Sequence, residues 1–480
     1  MTSITRRSRR FDLTPSRTAT VALVGAVLAM SAAAFAPSTT LATAPLKWRP
    51  FLMTQASDVR PAAPPEAGGA VDRADLDEIV ALQAASTAER DAAVTYWTAQ
   101  PGPTRWNEIL LTLVRAEKIN PVRTSRALAL LNAAIYDAVI AACDAKLAYR
   151  RETPAGRDGR IKSLADADDI SAYASLDAAV AAAARTILTA LFPGDAETLA
   201  VAANEAALVR LATGMNTRSD IAAGEAVGAA VGAMAVKRAR SDNADAIFRG
   251  SVPIFPGAWA PARPFANQLP DEPMAGTWTP WLMTSNSQFR PGPPPAYRSA
   301  AWQADANEVV AVTNSLSDAQ LRIARFWADG AGTDTPPGHW VRLAMSMGLR
   351  NHLTTPAFAR VLAYLATAEA DAFISCWETK YYYWTGRPTG LLPGFASTII
   401  TPNFPAYTSG HSTVSGAASA VLGAFFVSDA GRLRDMAEEA TVSRLYGGIH
   451  WRIDNEVGLR VGRQIGGVAV DRARSDGSLW

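Results

Sequence analysis

Residues 125–142 read SRALALLNAAIYDAVIAA, and this stretch sets the fold class. Leucine, isoleucine, tyrosine and valine recur every three or four positions among alanines, which is the period of a helix and not of a strand. Alanine carries high helix propensity and lets neighbouring helices approach closely, so a bundle is the natural packing. Working outward, Trp106 to Leu111 starts a helix before this one, and an isolated helix is expected around Leu76 to Thr95. Similar Ala- and Leu-rich stretches follow at 171–191, 194–213 and 219–239. They resume at 301–315, 317–328, 338–350, 355–378, 411–427, 431–446 and 450–469. Strand-like alternation is almost absent and no short internal repeat is evident. The expected fold is all-α.

Between the two helical regions the pattern breaks. Eleven prolines fall in residues 251–300, including Pro293-Pro294-Pro295, which no helix interior tolerates. A mobile linker would be poor in aromatics, yet this segment carries Phe255, Trp259, Phe265, Trp278, Trp281 and Phe289. It reads as an ordered strap joining two bundles. The expected organisation is an irregular lead-in at 46–104, an N-terminal bundle at 105–250, the strap at 251–300 and a C-terminal bundle at 301–480. Residues 1–45 have the order of a signal peptide. Arg6, Arg7, Arg9 and Arg10 precede an uncharged apolar run from Thr18 to Ala36, and small residues Ala42-Thr43-Ala44 follow. Export is expected, with retention as a single N-terminal membrane anchor as the other reading. The arginine pairs loosely suggest a twin-arginine signal, although Phe11 directly after Arg10 fits it imperfectly. No later segment is an uncharged run of that length, so a polytopic membrane protein is not expected.

The formal net charge is only +2, which gives no argument for nucleic acid or for acidic surfaces. Any anion must be held by local clustering. Cys143 and Cys376 lie far apart in apolar helical stretches and read as buried thiols rather than a disulfide. Oligomeric state is not legible.

Three segments of the second half carry candidate chemistry. They are Lys380 with Arg387-Pro388, Ser409-Gly410-His411, and Ser443-Arg444 followed by His450 and Asp454. Each alone has an ordinary reading: a solvated helix face, a turn, a core histidine. Together they have a physical logic. Lys380, Arg387 and Arg444 supply three cations, and guanidinium groups match tetrahedral anions bidentately. Ser409 and Gly410 precede an apolar helix whose free backbone N–H groups would face a bound anion. His411 and His450, two of the chain's four histidines, add a nucleophile or ligand and a proton donor. Arg444 and His450 are badly phased for one helix, but Gly447-Gly448 between them permits a break that aims both inward. Asp454, one turn past His450, either orients its ring or is a plain surface carboxylate.

The pattern K-x6-RP, SGH and SR-x5-H-x3-D resembles the three-part signature shared by type 2 phosphatidic acid phosphatases, bacterial acid phosphatases and vanadium-dependent haloperoxidases. Phe404-Pro405-Ala406-Tyr407, Trp377, and Phe326 to Gly330 followed by Thr335-Pro336-Pro337 resemble the haloperoxidase branch, as does the Trp106 to Ala138 region. The likeness spans most of 105–470. It implies vanadate as cofactor, with His450 as its axial ligand, or as the nucleophile in the phosphatases. His411 takes the acid–base position. Lys380, Arg387, Ser409, Gly410 and Arg444 match the residues that hold the oxygens. Asp329 resembles the carboxylate that pairs with the Arg444 position, and Trp377 and Phe404 match aromatics on the halide side. Thr408 departs from the family's proline before Ser-Gly-His.

The implied activity is oxidation of chloride or bromide by hydrogen peroxide at a vanadate held by His450, with a small organic acceptor. Phe404 leans the site towards the chloroperoxidase type. The alternative is an acid phosphatase using His450 as nucleophile. His339 and His352 read as structural or surface residues, with His339 a candidate for the pocket rim.

Overall fold

The computed structural model describes residues 44–164, 171–261, 264–265 and 268–476. The expected signal peptide or anchor lies outside them, apart from residues 44 and 45. Among the described residues the chain is helical, with one isolated antiparallel bridge between Ala258 and Thr385 and no strand. The first half holds α1 (Ala70–Ala84), α2 (Ala88–Thr98), α3 (Gly102–Ala116), α4 (Pro121–Tyr149), the short α5 (Pro154–Arg157), α6 (Leu176–Leu191), α7 (Ala196–Ala212) and α8 (Arg218–Ser241). The second holds α9 (Ala300–Asn314), α10 (Asp318–Phe326), α11 (Thr335–Arg350), α12 (Thr355–Tyr383), the short α13 (Pro388–Leu391), α14 (Gly410–Phe425), α15 (Ala430–Tyr446) and α16 (Arg452–Ser475).

The two sets match one for one. Helices α4 and α12 end at Tyr149 and Tyr383, 234 residues apart, and the same spacing relates α5 to α13 and every later pair. Their supports repeat too. The Asp137 carboxylate accepts from the backbone N–H groups of Phe51, Leu52 and Met53. The Asp371 carboxylate accepts from those of Trp281, Leu282 and Met283. Arg126 pairs with Asp242 as Arg360 does with Asp476. The chain is thus a long tandem repeat, a pattern that a search for short repeats does not reveal.

Helices α4 and α12 lie against each other at the centre. α6 packs on α8 and α14 on α16, and glycines set how close those pairs come. A Cβ at Gly228 would stand 2.1 Å from the carbonyl oxygen of Ala179, and one at Gly462 would stand 2.0 Å from that of Thr413. Backbone cannot yield as a side-chain tip does, so Gly462→Ala is expected to cost about 3 kcal/mol. An unchanged denaturation midpoint would show that the helices separate freely.

Where one helix was expected over Leu76 to Thr95, there are two. Ala85 leaves helical geometry and the Thr87 side chain accepts from Arg90 N–H, restarting the helix as α2. The Ser86-Thr87 pair is an N-cap signal inside an otherwise continuous apolar period. The strap residues Trp259 and Trp278 are buried, and Thr279 donates to Asp242 while Trp259 donates to Trp384. Both cysteines are buried thiols. By length and mean hydropathy Pro121–Arg157 and Arg218–Ser241 could cross a membrane, although both carry charged residues such as Asp137 and Glu225 and neither is an uncharged run. The apolar window of the first is wholly buried inside the protein and that of the second half buried, as bundle core helices are.

Candidate active site

Most of the candidate residues sit at or near helix ends, whereas Phe404 and Asp329 lie in loops. Trp377 and Lys380 lie in the last turns of α12, and Arg387 caps α13. Ser409 caps α14, its hydroxyl accepting from Ser412 N–H, with Gly410 and His411 in the first turn. Arg444 ends α15 and Asp454 begins α16. Between these last two the chain must reverse; α15 stops at Tyr446 and Gly448 adopts φ +68°, a conformation that suits glycine. This turn delivers His450 into the same interior space as Arg444.

The contacts are specific. His450 Nε2 lies 3.0 Å from Arg387 Nη1, and its Nδ1 lies 2.9 Å from Asp454 Oδ2. That carboxylate also accepts from Trp451 N–H. Arg387 donates through Nε to the Phe404 carbonyl and through Nη1 to that of Ile449. Lys380 donates to the carbonyls of Pro405 and Ala406, both at 2.8 Å. Arg444 donates to Ser443 Oγ and to the Ala324 carbonyl. Phe404 packs against Trp377 with centroids 4.8 Å apart and ring planes tilted by 49°, and the Lys380 side-chain nitrogen lies 5.1 Å from the Phe404 ring. Lys380, Arg387, Arg444, His450 and Asp454 are all at most 2% exposed.

Burial governs the electrostatics. It pulls the Lys380 ammonium down and pushes the Asp454 carboxyl up. Arg387 falls to about 10 and Arg444 to about 9, so both remain charged at neutral pH. His450 is held well below the usual imidazole range by burial and then by Arg387, Lys380, Arg444 and His411. His411 is held down by burial and by Arg444. Two guanidinium cations and the Lys380 amine, lowered to about 7, therefore surround one imidazole, with the Asp454 carboxyl in contact with it. Two buried nitrogens, Arg387 Nη2 and His411 Nε2, have no hydrogen-bond partner. Such groups are costly unless a ligand meets them. Among the described residues no group of three or more His, Cys, Asp or Glu could chelate a bare cation. The donor set suits an oxyanion, vanadate included.

Three placements qualify the sequence reading. The Asp329 carboxylate lies 3.1 Å from His339 Nδ1 and acts on Arg444 through charge, without an ion pair to it. His339 stacks on Trp327 with centroids 4.6 Å apart, whereas His352 is exposed. Thr408 packs beside Cys376, whose thiol donates to the Thr408 carbonyl. Motif reading could not find the carbonyls of Phe404, Pro405, Ala406 and Ile449, because a carbonyl leaves no trace in residue type. Ser443 was within reach: it stands in the motif beside Arg444 and accepts from it.

The sequence profile of the VCPO second helical-bundle domain matches residues 431–476. The structure of the first bacterial vanadium-dependent iodoperoxidase is similar at 26% identity, covering 77% of this chain and 96% of that one with a TM-score of 0.65. In the profile of its last bundle and in its fold, this chain is similar to the vanadium-dependent haloperoxidases. Two further haloperoxidase structures share the fold. A bacterial vanadium-dependent chloroperoxidase in its apo form matches at 13% identity, over 74% of this chain and 94% of that one, with a TM-score of 0.54. The holo form matches at 14%, over 76% and 92%, with a TM-score of 0.53. No curated protein sequence matches. The haloperoxidase profile ends at the close of α16, so it spans Arg444, His450 and Asp454.

Proposed function

We propose that this chain is a vanadate-dependent haloperoxidase whose C-terminal bundle oxidises halide with hydrogen peroxide. The observation that carries this is the buried cation excess around His450, with unmet donors on Arg387 and His411. Bound vanadate would supply a Lewis-acid centre that activates peroxide towards halide.

The chain's own groups divide the remaining work. Arg387, Arg444, Lys380, Ser409 and the Gly410 N–H would hold the oxygens. Asp454 accepts from Nδ1 of His450, so Nε2 would be the ring nitrogen that holds vanadate. The carbonyls of Pro405 and Ala406 aim the Lys380 ammonium, so it can polarise peroxide without reorganising. His411, kept neutral and unpartnered at Nε2, can take or return a proton there. Trp377 and Phe404 form an aromatic wall that excludes water from a small halide. Phe404 also supports chloride as the substrate; a panel of chloride, bromide and iodide tests this, since the 26%-identical relative is an iodoperoxidase.

The same anion pocket would serve an acid phosphatase, so the experiment compares both. Purified protein with and without orthovanadate is assayed for peroxide-dependent halogenation of a phenol or β-diketone dye, and for hydrolysis of p-nitrophenyl phosphate. Halogenation is expected only with vanadate. Phosphate hydrolysis that vanadate suppresses, with no halogenation, would select the phosphatase instead. The N-terminal signal supports export, and a mature N-terminus within the first 45 residues of an exported product would be the check.

A further inference from the structure

The tandem repeat places a second set of residues where the first half should carry the same pocket. Lys146 stands in the place of Lys380, Ser175 of Ser409, Asp177 of His411, Arg210 of Arg444 and Asn216 of His450. Arg387 has no counterpart; Thr153 occupies its position before α5.

The cradle itself is preserved. Lys146 donates to the Ser171 carbonyl, as Lys380 does to that of Pro405. Ser175 N–H donates to the Asp220 carbonyl at 2.9 Å, as Ser409 N–H does to that of Asp454 at 3.0 Å. The Asp220 side chain accepts from Thr217 N–H, as Asp454 does from Trp451 N–H. What differs is the filling. Asn216 Oδ1 accepts from the Ser175 hydroxyl at 3.0 Å and from Arg210 Nε at 3.1 Å. Its amide nitrogen donates to the Ala172 carbonyl. Asp177 pairs with Arg210 Nη1 at 3.0 Å.

We infer that the N-terminal bundle holds a second copy of the oxyanion site that the chain has closed with its own Asn216 and Asp177. The serine hydroxyl, which the C-terminal copy offers to a ligand, already has Asn216 as acceptor, and Arg210 meets a carboxylate where Arg444 meets the neutral oxygens of Ser443 and Ala324. An internal acceptor loses no translational freedom, so an external anion cannot displace it cheaply. The Asp177 carboxylate also repels any incoming anion. The chain therefore takes one oxyanion and not two. The inference rests on the function proposed for the C-terminal copy.

Equilibrium dialysis of the full chain against orthovanadate, with metal analysis of the bound fraction, is expected to give about one equivalent. Two equivalents would overturn the closure and leave the proposed function standing. None, with no bound inorganic phosphate either, would overturn the proposed function and the template for the closure with it. A second arm installs the closure in the working copy. The variant carrying His411→Asp and His450→Asn is expected to bind neither orthovanadate nor millimolar phosphate. His450→Ala leaves the cations unmet, so it is expected to keep weak phosphate binding while losing vanadate. Equal phosphate binding by the two variants would overturn the role given to Asn216 and Asp177. Should the double variant fail to fold, the wild-type count decides.

Discussion

Replacing His450 with alanine is expected to abolish tight vanadate retention and to lower halogenation by more than about a thousandfold. His450 Nε2 is the ring nitrogen that faces the cations, while Nδ1 is committed to Asp454. Truncation removes the imidazole nitrogen that would hold the vanadate. The arginines and Lys380 keep their carbonyl partners, so the pocket would still attract anions weakly through charge. The signature is thus a split, with retention of vanadate lost and weak competition by phosphate kept. Asp454→Asn should lie between, costing about 10- to 100-fold in vanadate affinity, because the amide cannot hold Nδ1 as a carboxylate does. Bound vanadium at the wild-type level in His450→Ala would remove His450 from the ligand position.

The second large effect concerns stability. Arg360 is 1% exposed and contacts Asp476 at 2.5 and 3.1 Å, while also donating to the Ala473 carbonyl and to the Tyr136 hydroxyl. Removing one partner of a buried pair strands the other charge away from water. Arg360→Ala is expected to cost about 3–5 kcal/mol. Its repeat-mate Arg126 makes the same pair with Asp242, but the side chains are 15% and 7% exposed, so Arg126→Ala should cost less. Denaturant midpoints of the two variants give the comparison directly. A loss below about 1 kcal/mol for Arg360→Ala would mean that water reaches Asp476 in the variant.

Much of this was legible in the residues. The helical period of 125–142 reports real core packing, since nearly every residue there is buried from both sides by neighbouring helices. The Ser-Gly-His and Arg…His…Asp motifs were readable because the groups that meet a ligand must be particular side chains. The repeat was not, for the converse reason. Packing tolerates exchange of one apolar residue for another, so Trp48 to Met53 and Trp278 to Met283 agree mainly where Asp137 and Asp371 need backbone donors. In the pocket the two halves diverge outright, with Asn216 against His450 and Asp177 against His411. Asp329 shows a further limit: the family resemblance set it beside Arg444 but could not foresee that His339 would claim its oxygen.

The aromatic cluster at the middle has a consequence for how the molecule comes apart. Phe51 lies edge-on to Tyr136 of α4 and to Tyr364 of α12, and Trp48 stacks on Tyr136 beneath the Arg360 guanidinium. Asp476, on the far side, takes both Arg360 and the Arg49 N–H. Two repeated halves that shared no core would melt in two steps, each with its own midpoint. Here the opening of either half exposes the same rings and breaks the same clasp, so heating should produce a single sharp calorimetric peak.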